Sequence, residues 1–353
     1  MSVPEIRVKG SPYEIGFGHG SQAKDRVRRS IEFYTAYFKD MANVSWDEVR
    51  RVSLEFRPSI EQRFPELFEE LRGLAEGAGL PLADVMALNV RTEIAFGLQI
   101  TQATDGCTAM YWRASPKEVF LAQNWDWKEA QADALIALNA APDGHPRFQI
   151  MTEAGILGKI GLNEHGVGCC LNAISATGLD ASKLPVHLAL RRILNFDSAA
   201  RAAQFLEKEY PCASAAHILV GDRDTGTGLE FSSTDVQELL PDANNCIFHS
   251  NHYVVDHYRE DGQKIVDVGP KDSPFRLKRI SEITRTLSPT VPSIQSAFAD
   301  KANYPGSICR QTQGEVESTT LFNIVMDLAS AKAHVIIGKP DQRDSAQQLQ
   351  FVF

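Results

Sequence analysis

The sequence predicts an α+β protein in which antiparallel β-sheets are covered by helices. Apolar residues recur at helical spacing in the first third of the chain, as in Ile31, Tyr34 and Phe38. From Cys107 onward the pattern changes to short β-type runs bounded by glycine, asparagine and proline. Several strands in succession indicate antiparallel pairing rather than alternating βαβ units. Blocks of strands that alternate with blocks of helices therefore predict helix-covered sheets.

The predicted elements follow this division in chain order. A second apolar stripe in the helical part consists of Ile60, Phe64, Leu67, Phe68 and Leu71. The first strands are CTAMYW, VFLAQNWDW, ALIALNA, RFQIMTEA and IGLNEHGVGCCLNAI. A helix with Asp197 or Ser198 as its N-cap follows. After it come the strands AAHILVGD, GLEFSS and CIFHSNHYV, the helix FRLKRISEITRTL, and a final strand pair, TLFNIVMDLA and KAHVIIGKP.

Composition excludes several classes of protein and partner. The chain has 353 residues and a formal net charge of −9, without a basic stripe, so we expect no nucleic-acid partner. We find no apolar run of eighteen residues and no secretion signal, which argues against membrane partners. None of the six cysteines forms a Cys-x-x-Cys pair, which favours a reducing compartment. The last three residues, FVF, are not a peroxisomal tripeptide, so we expect a cytoplasmic protein.

The sequence offers little support for a metal or a bound cofactor. His249 and His252 have no cysteine or carboxylate cluster around them to complete a ligand set. We interpret HSNH as part of a buried network or a pocket border. The glycines of IGFGHG lack the strand and the Lys-Ser/Thr of a nucleotide loop. Ser11 and Glu14 instead predict a capping box at the start of a helix.

Cys107 is the most informative candidate nucleophile. A buried structural cysteine is one interpretation, because free cysteine is among the most buried residue types. A papain-like nucleophile would lie at a helix N-terminus, whereas CTAMYW is typical of a strand. A third interpretation is an N-terminal nucleophile, released by cleavage of the Gly106–Cys107 bond, whose own α-amine acts as the base. Gly106 has no Cβ to obstruct attack on its carbonyl.

An ordered set of motifs runs along nearly the whole chain. The motifs are GSPYEIGFGHG, LNVRTEIAFG, DGCT, QNWDW, TEAGILGKIGLNEHGV, GLEFS, HSNH, NYPGSICR and TLFNIVMD. Together they resemble the fungal acyl-coenzyme A:isopenicillin-N acyltransferases, within the N-terminal-nucleophile hydrolases. The resemblance implies a four-layer αββα sandwich. It also implies self-cleavage into a helix-rich small chain, 1–106, and a large chain, 107–353, which stay associated as one domain.

The resemblance also implies roles for individual residues. Cys107 matches the nucleophile, with Gly106–Cys107 as the cleavage site. Asp126 matches an aspartate that would hold the α-ammonium group, although a solvated strand end is the alternative. Asn251 matches an oxyanion donor. Asn172 resembles a second oxyanion donor, with a structural turn as the alternative.

Three further residues lie in matching motifs. Arg310 matches an arginine near the nucleophile, where its charge would favour thiolate, and the apolar YPGSIC before it predicts partial burial. A surface arginine is the alternative. Ser232 and Ser307 are supporting residues to which chemistry assigns no role.

The implied function is acyl transfer through a Cys107 acyl-enzyme. The donor would be a coenzyme A thioester as co-substrate, or isopenicillin N, and the acceptor 6-aminopenicillanic acid, which gives penicillins. An amidohydrolase of N-acyl amino acids or other small amides is the alternative on the same fold. A non-catalytic binding protein is a further alternative. Because the peroxisomal tripeptide is missing, a cytosolic paralogue with another substrate is also consistent with the sequence.

Overall fold

The computed structural model describes residues 2–98 and 106–353, so Asp105 of the DGCT motif lies outside it. The described helices are α1 (Pro12–Gln22), α2 (Lys24–Ala42), α3 (Trp46–Ser53), α4 (Arg57–Arg63), α5 (Pro65–Ala78), α6 (Leu82–Asn89), α7 (Arg91–Gly97), α8 (Val186–Ile193), α9 (Ala199–Gln204), α10 (Ser273–Thr284) and α11 (Val291–Phe298). The helical first third is therefore confirmed. Ser198 is the N-cap of α9, as predicted, and its hydroxyl accepts from the backbone N–H of Arg201.

The described strands follow the predicted order. They are β1 (Glu5–Gly10), β2 (Thr108–Ser115), β3 (Glu118–Trp127), β4 (Leu135–Pro142), β5 (Phe148–Glu153), β6 (Ile160–Asn163), β7 (Gly168–Ala173), β8 (Ala216–Gly221), β9 (Gly226–Phe231), β10 (Val236–Leu239), β11 (Cys246–His249), β12 (His257–Tyr258), β13 (Lys264–Ile265), β14 (Thr319–Asp327), β15 (Lys332–Ile337) and β16 (Gln348–Phe351). The sequence prediction missed β1, although Ile6 and Val8 alternate with polar residues as a half-buried strand requires.

The strands form two large sheets and a small hairpin. The eight-stranded sheet has the order β1-β4-β5-β6-β7-β8-β9-β10, and the six-stranded sheet has the order β11-β2-β3-β14-β15-β16. Every pairing between these strands is antiparallel except the parallel pair β1 and β4. The strands β12 and β13 form the separate hairpin. The predicted antiparallel class is therefore confirmed, with one parallel exception.

Helices cover the outer face of each sheet. The helices α1, α2, α8 and α9 pack on the eight-stranded sheet, and α10 and α11 pack on the six-stranded sheet. The two sheets meet through contacts of β2 and β3 with β7, and the main apolar core lies around this interface. This arrangement confirms the predicted αββα sandwich. No helix among the described residues is long and apolar enough to cross a bilayer.

The IGFGHG segment lies inside α1, where its glycines allow close helix packing. Ser11 and Glu14 form the predicted capping box at the N-terminus of α1. A Cβ at Gly16 would lie 1.9 Å from the carbonyl oxygen of Glu70 in α5. A Cβ at Gly73 of α5 would lie 2.0 Å from a carbonyl oxygen of α1. These glycines therefore let the two helix backbones touch.

The change from helices to strands at Cys107 is also a feature of the structure. Strand β2 begins at Thr108 and lies inside the six-stranded sheet, between β11 and β3. The segment before it still contributes β1 to the eight-stranded sheet. The described residues before and after the Gly106–Cys107 bond thus share one sandwich, and the division into chains 1–106 and 107–353 stays a prediction.

Candidate active site

Cys107 lies immediately before β2 and is 1% exposed. Its Sγ lies 3.4 Å from the backbone N of Asp126 and 3.7 Å from the carbonyl oxygen of the same residue. Asp126 belongs to β3, which pairs with β2 in antiparallel register. The backbone N–H of Asp126 donates to the sulfur. The thiol is therefore held against the main chain of the neighbouring strand.

Arg310 lies directly against Gly106. A Cβ at Gly106 would lie 1.9 Å from Nη1 of Arg310 and 2.3 Å from its Cζ, so any side chain at this position would have to displace the arginine. Both terminal nitrogens of Arg310 donate to the Asp272 carboxylate, at 3.2 and 3.1 Å. Arg310 is 3% exposed. The predicted burial is confirmed, and the alternative of a surface arginine is wrong.

Arg276 completes this charged group, and sequence reasoning missed it. Its Nη1 donates to the carbonyl oxygen of Cys107 at 2.6 Å, and its Nη2 donates to Oδ1 of Asn251 at 2.9 Å. Its Nε donates to Asp272 at 2.8 Å, so one carboxylate holds two arginines. Asp272 and Arg276 are four residues apart at the start of a helix, which was the available signal. The arginine is fully buried and orients both neighbours.

Asn251 lies between Arg276 and the eight-stranded sheet. Its Nδ2 donates to the carbonyl oxygen of Ala173 at 3.0 Å, and its backbone N donates to Oγ of Ser273 at 2.7 Å. Because Arg276 fixes the amide oxygen, the NH₂ group points away from that arginine. The structure therefore holds Asn251 in one orientation, while its oxyanion role stays a prediction.

Asn172 is part of β7, so its interpretation as a turn residue is wrong. Its Oδ1 accepts from Nδ1 of His217 at 3.1 Å. Its Nδ2 is buried and has no hydrogen-bond partner among the described residues. An unsatisfied buried amide is costly and indicates a group available to a ligand. The role of Asn172 stays a prediction.

His249 of HSNH belongs to a buried polar network, as one interpretation predicted, and the half-buried His252 borders a pocket, as the other predicted. The rings of His249 and His217 stack with centroids 3.6 Å apart. Nε2 of His249 bonds Oε1 of Glu230 at 2.6 Å, and Nε2 of His257 lies 3.4 Å from Oε2. Burial raises the pKa of Glu230, but hydrogen bonds from His249 and His257 outweigh it and hold that pKa well below its usual range. No metal-binding group of three or more His, Cys, Asp or Glu residues occurs in residues 2–98 or 106–353.

Three other predicted site residues are Asp126, Ser232 and Ser307, and their surroundings differ. Asp126 is fully buried, so the alternative of a solvated strand end is wrong, and its charge acts on Arg276. Ser232 bonds Thr234 and Asp235 within its own turn. Ser307 donates to the carbonyl oxygen of Cys309 at 2.5 Å. These hydrogen bonds of Ser232 and Ser307 thus stabilise the loops in which the two serines lie.

Two motifs distant in sequence are hydrogen-bonded to each other. In LNVRTEIAFG, Nδ2 of Asn89 donates to the carbonyl oxygen of Gly155 at 2.8 Å, and its Oδ1 accepts from the N of Leu157 at 2.9 Å. Arg91 donates to Glu153 at 3.0 Å. All three partners lie in the segment TEAGILGKIG. Hydrogen bonds from the LNVRTEIAFG motif therefore connect the part of the chain before Cys107 to the part after Cys107.

Comparison with known proteins identifies the family. Residues 112–342 match the family model of acyl-coenzyme A:6-aminopenicillanic acid acyl-transferase. The acyl-coenzyme A:6-aminopenicillanic-acid-acyltransferase 40 kDa form of Emericella nidulans is 35% identical over 348 residues. That alignment covers 98% of this chain and 96% of the relative. The chain belongs to this family. The predicted resemblance and enzyme class, an acyltransferase, are thereby confirmed.

Solved structures resemble the acyltransferase chain more distantly. Penicillin V acylase from Agrobacterium tumefaciens has 14% identity and a TM-score of 0.35, over 65% of this chain and 83% of that chain. A variant of conjugated bile acid hydrolase from Clostridium perfringens has 12% identity and a TM-score of 0.37, over 70% and 97%. The fold assignment rests on the sheet order and layers described above.

Proposed function

We propose that this chain is an acyl-coenzyme A-dependent acyltransferase that matures by cleaving its own Gly106–Cys107 bond. The observation that carries the proposal is the environment of that bond. Arg310 packs against Gly106, and Arg276 holds the Cys107 carbonyl oxygen. Membership of the acyltransferase family supports the same conclusion.

Maturation requires two bond changes at the Gly106 carbonyl. The Cys107 sulfur, having lost its proton, attacks the carbonyl carbon, and the C–N bond breaks as the nitrogen takes up a proton. The product is a thioester between Gly106 and Cys107, together with a free α-amine. Water then breaks the C–S bond, leaving a carboxylate on Gly106 and a thiol on Cys107. The missing Cβ at Gly106 keeps this carbonyl accessible beside Arg310.

Acyl transfer then uses the new α-amine as the base. A free α-amine has a pKa near 7.7–8.0, so a useful fraction accepts the thiol proton at neutral pH. The thiolate attacks the acyl carbon of a coenzyme A thioester, and the coenzyme A thiol leaves with a proton. The amine of 6-aminopenicillanic acid then attacks the acyl-enzyme. An amide forms, and the Cys107 thiol is restored.

The neighbouring residues have separate roles in this proposal. Asp126 holds the α-ammonium form of the new N-terminus. Asn251 and Asn172 donate amide hydrogens to the tetrahedral oxyanion, which is worth about 3 kcal/mol per donor in comparable sites. Arg276 positions Asn251, and Arg310 supplies fixed positive charge. Pairing of β1 with β4 holds the two chains together after cleavage.

The decisive test is the reaction of the matured protein with phenylacetyl-coenzyme A and 6-aminopenicillanic acid, followed by liquid chromatography and mass spectrometry. We expect the phenylacetyl amide of 6-aminopenicillanic acid and stoichiometric free coenzyme A. Cys107→Ala should form neither product. Release of phenylacetate without the amide would contradict the transferase and favour the amidohydrolase alternative.

A further inference from the structure

A small cavity lies beside Cys107, and the proposed chemistry uses none of its polar lining groups except the Cys107 thiol. Its volume is about 20 Å³, enough for one or two groups the size of a water molecule. This space fits the two oxygens of a carboxylate. Its lining includes Arg91, Cys107, Trp125, Trp127 and Leu171.

Two nitrogen donors belong to residues that line this cavity. The guanidinium of Arg91 lies over the Trp127 ring, with Cζ 5.6 Å from the ring centroid. The indole N–H of Trp127 is buried and has no hydrogen-bond partner among the described residues. A ligand oxygen that accepted this N–H would remove the cost of leaving it unsatisfied. An arginine fork and a single N–H suit a carboxylate better than a neutral group.

Two cationic side chains contact the aromatic lining of the cavity, Arg91 at Trp127 and Lys159 at Trp125. Arg91 and the fully buried Lys159 both pair with one carboxylate, Glu153. Two neighbouring titratable groups add no charge at neutral pH. Burial raises the pKa of Tyr34 well above its usual range, and burial holds the pKa of His187 well below its usual range. Arg91 and Lys159 thus bring positive charge close to the cavity, beside the Glu153 carboxylate.

We propose that this cavity binds a carboxylate of the substrate through Arg91 and the Trp127 N–H. The inference rests on the proposed function, because the bound carboxylate belongs to a molecule whose acyl group reacts with Cys107. The preferred substrate class is therefore acyl donors or amines that carry a carboxylate close to the reacting carbonyl. Trp125 and Leu171 supply apolar parts of the lining beside the two donors.

Two matched pairs of chromogenic amides distinguish the sources of the carboxylate. Glutaryl and pentanoyl amides of p-nitroaniline differ only by a carboxylate in the acyl part. Pentanoyl amides of 5-amino-2-nitrobenzoate and p-nitroaniline differ only by a carboxylate in the amine part. For one of the two pairs, we expect the enzyme to prefer the substrate with the carboxylate. Its kcat/KM should be about 10- to 100-fold higher than that of the partner substrate, mainly through a lower KM.

The variants test whether Arg91 and Trp127 cause this preference. Arg91→Gln should reduce the ratio to near one, Arg91→Lys should retain part of it, and Trp127→Phe should reduce it while keeping the ring. Arg72→Gln is the matched control. Arg72 also precedes Cys107 in the chain, but it is exposed and pairs with Glu69. A ratio near one in the wild type, or a preference unchanged in both Arg91→Gln and Trp127→Phe, would overturn the inference.

A binding measurement separates failure of this inference from failure of the proposed function. Propionate should change the intrinsic tryptophan fluorescence of the wild-type protein saturably, and propionamide should not. The change should disappear in Arg91→Gln. If no amide is hydrolysed and no acyl group is transferred, the proposed function fails, yet the propionate titration still decides the inference. The absence of a saturable propionate signal, or an equal response to propionamide, contradicts it.

Discussion

The guanidinium of Arg310 occupies the space that a side chain at position 106 would need. A Cβ at Gly106 would lie 1.9 Å from Nη1 of Arg310, far inside contact distance. The same arginine is held by both oxygens of Asp272. Glycine at position 106 therefore has a packing reason as well as a chemical one. The proposed cleavage depends on this close contact.

Gly106→Ala should slow self-cleavage. The added methyl group must displace Arg310, and overpacking of a filled site costs about 1–3 kcal/mol, which corresponds to roughly 5- to 150-fold in rate. The measurement is the fraction of uncut chain over time, by gel and intact mass. Gly97→Ala is the control, because among the described residues its Cβ would meet only the flexible end of Leu179 within 4 Å. Equal cleavage rates in the two variants would contradict this account.

Arg276→Lys should lower kcat more than it changes KM. Lysine cannot bond Asp272, Asn251 and the Cys107 carbonyl together, so Asn251 loses its orientation. Arg279→Lys is the matched control on the same helix, since Arg279 pairs with Asp300 instead. The double variant with Asn251→Ala should lose little beyond Asn251→Ala alone. Fully additive losses in kcat would show that Arg276 does not act through Asn251.

Asn251→Ala should reduce kcat by about 100- to 1000-fold through loss of an oxyanion donor. KM should change little, because the oxyanion exists only in the transition state and intermediate. Steady-state kinetics with phenylacetyl-coenzyme A provide the measurement. Asn244→Ala removes an exposed asparagine of the same region and should behave as wild type. Unchanged kcat in Asn251→Ala would rule out the oxyanion role.

Glu230→Gln should reduce stability at neutral pH by about 1.5–3 kcal/mol, the range for hydrogen bonds to charged groups. Because the folded pKa of Glu230 lies below its unfolded value, its contribution is present above the unfolded pKa of about 4.3. The contribution is lost as pH falls through the folded pKa. Thermal unfolding from pH 3 to 7 should therefore show the two proteins converging below about pH 4.

The control for this pH dependence is Glu238→Gln, an exposed glutamate on the neighbouring strand β10. Its unfolding curve should follow that of the wild type throughout. A constant difference between wild type and Glu230→Gln from pH 3 to 7 would contradict the assignment of a charged Glu230 in the His249 and His257 network.

The fold class could be predicted because the patterns that indicate it lie within short stretches of sequence. The helical spacing around Tyr34 and the strand pattern of CTAMYW depend only on neighbouring residues, and the structure has both elements. The strand β1 was missed because its alternating pattern spans only six residues, which is short evidence for a strand by itself. The packing role of the glycines in IGFGHG could not be predicted either, because it depends on their close contact with the backbone of α5.

The candidate site was predicted less completely than the fold. Motifs located Cys107, Asp126, Asn251 and Arg310, and the structure gathers these residues around one strand end. Arg276 was not predicted as a site residue, because a helical arginine four residues after an aspartate usually forms an exposed ion pair. Its burial depends on how α10 packs against β2, which no local pattern encodes. The chemical roles of all these residues stay predictions until they are tested.

The most direct test of the central claim is the intact mass and N-terminal sequence of the purified protein. We predict two chains that remain together under native conditions, the larger one beginning Cys-Thr-Ala-Met at Cys107. Cys107→Ala should remain a single chain after the same incubation. A wild-type protein that stays whole, or one cut at another bond, would contradict the proposal that Cys107 becomes an N-terminal nucleophile.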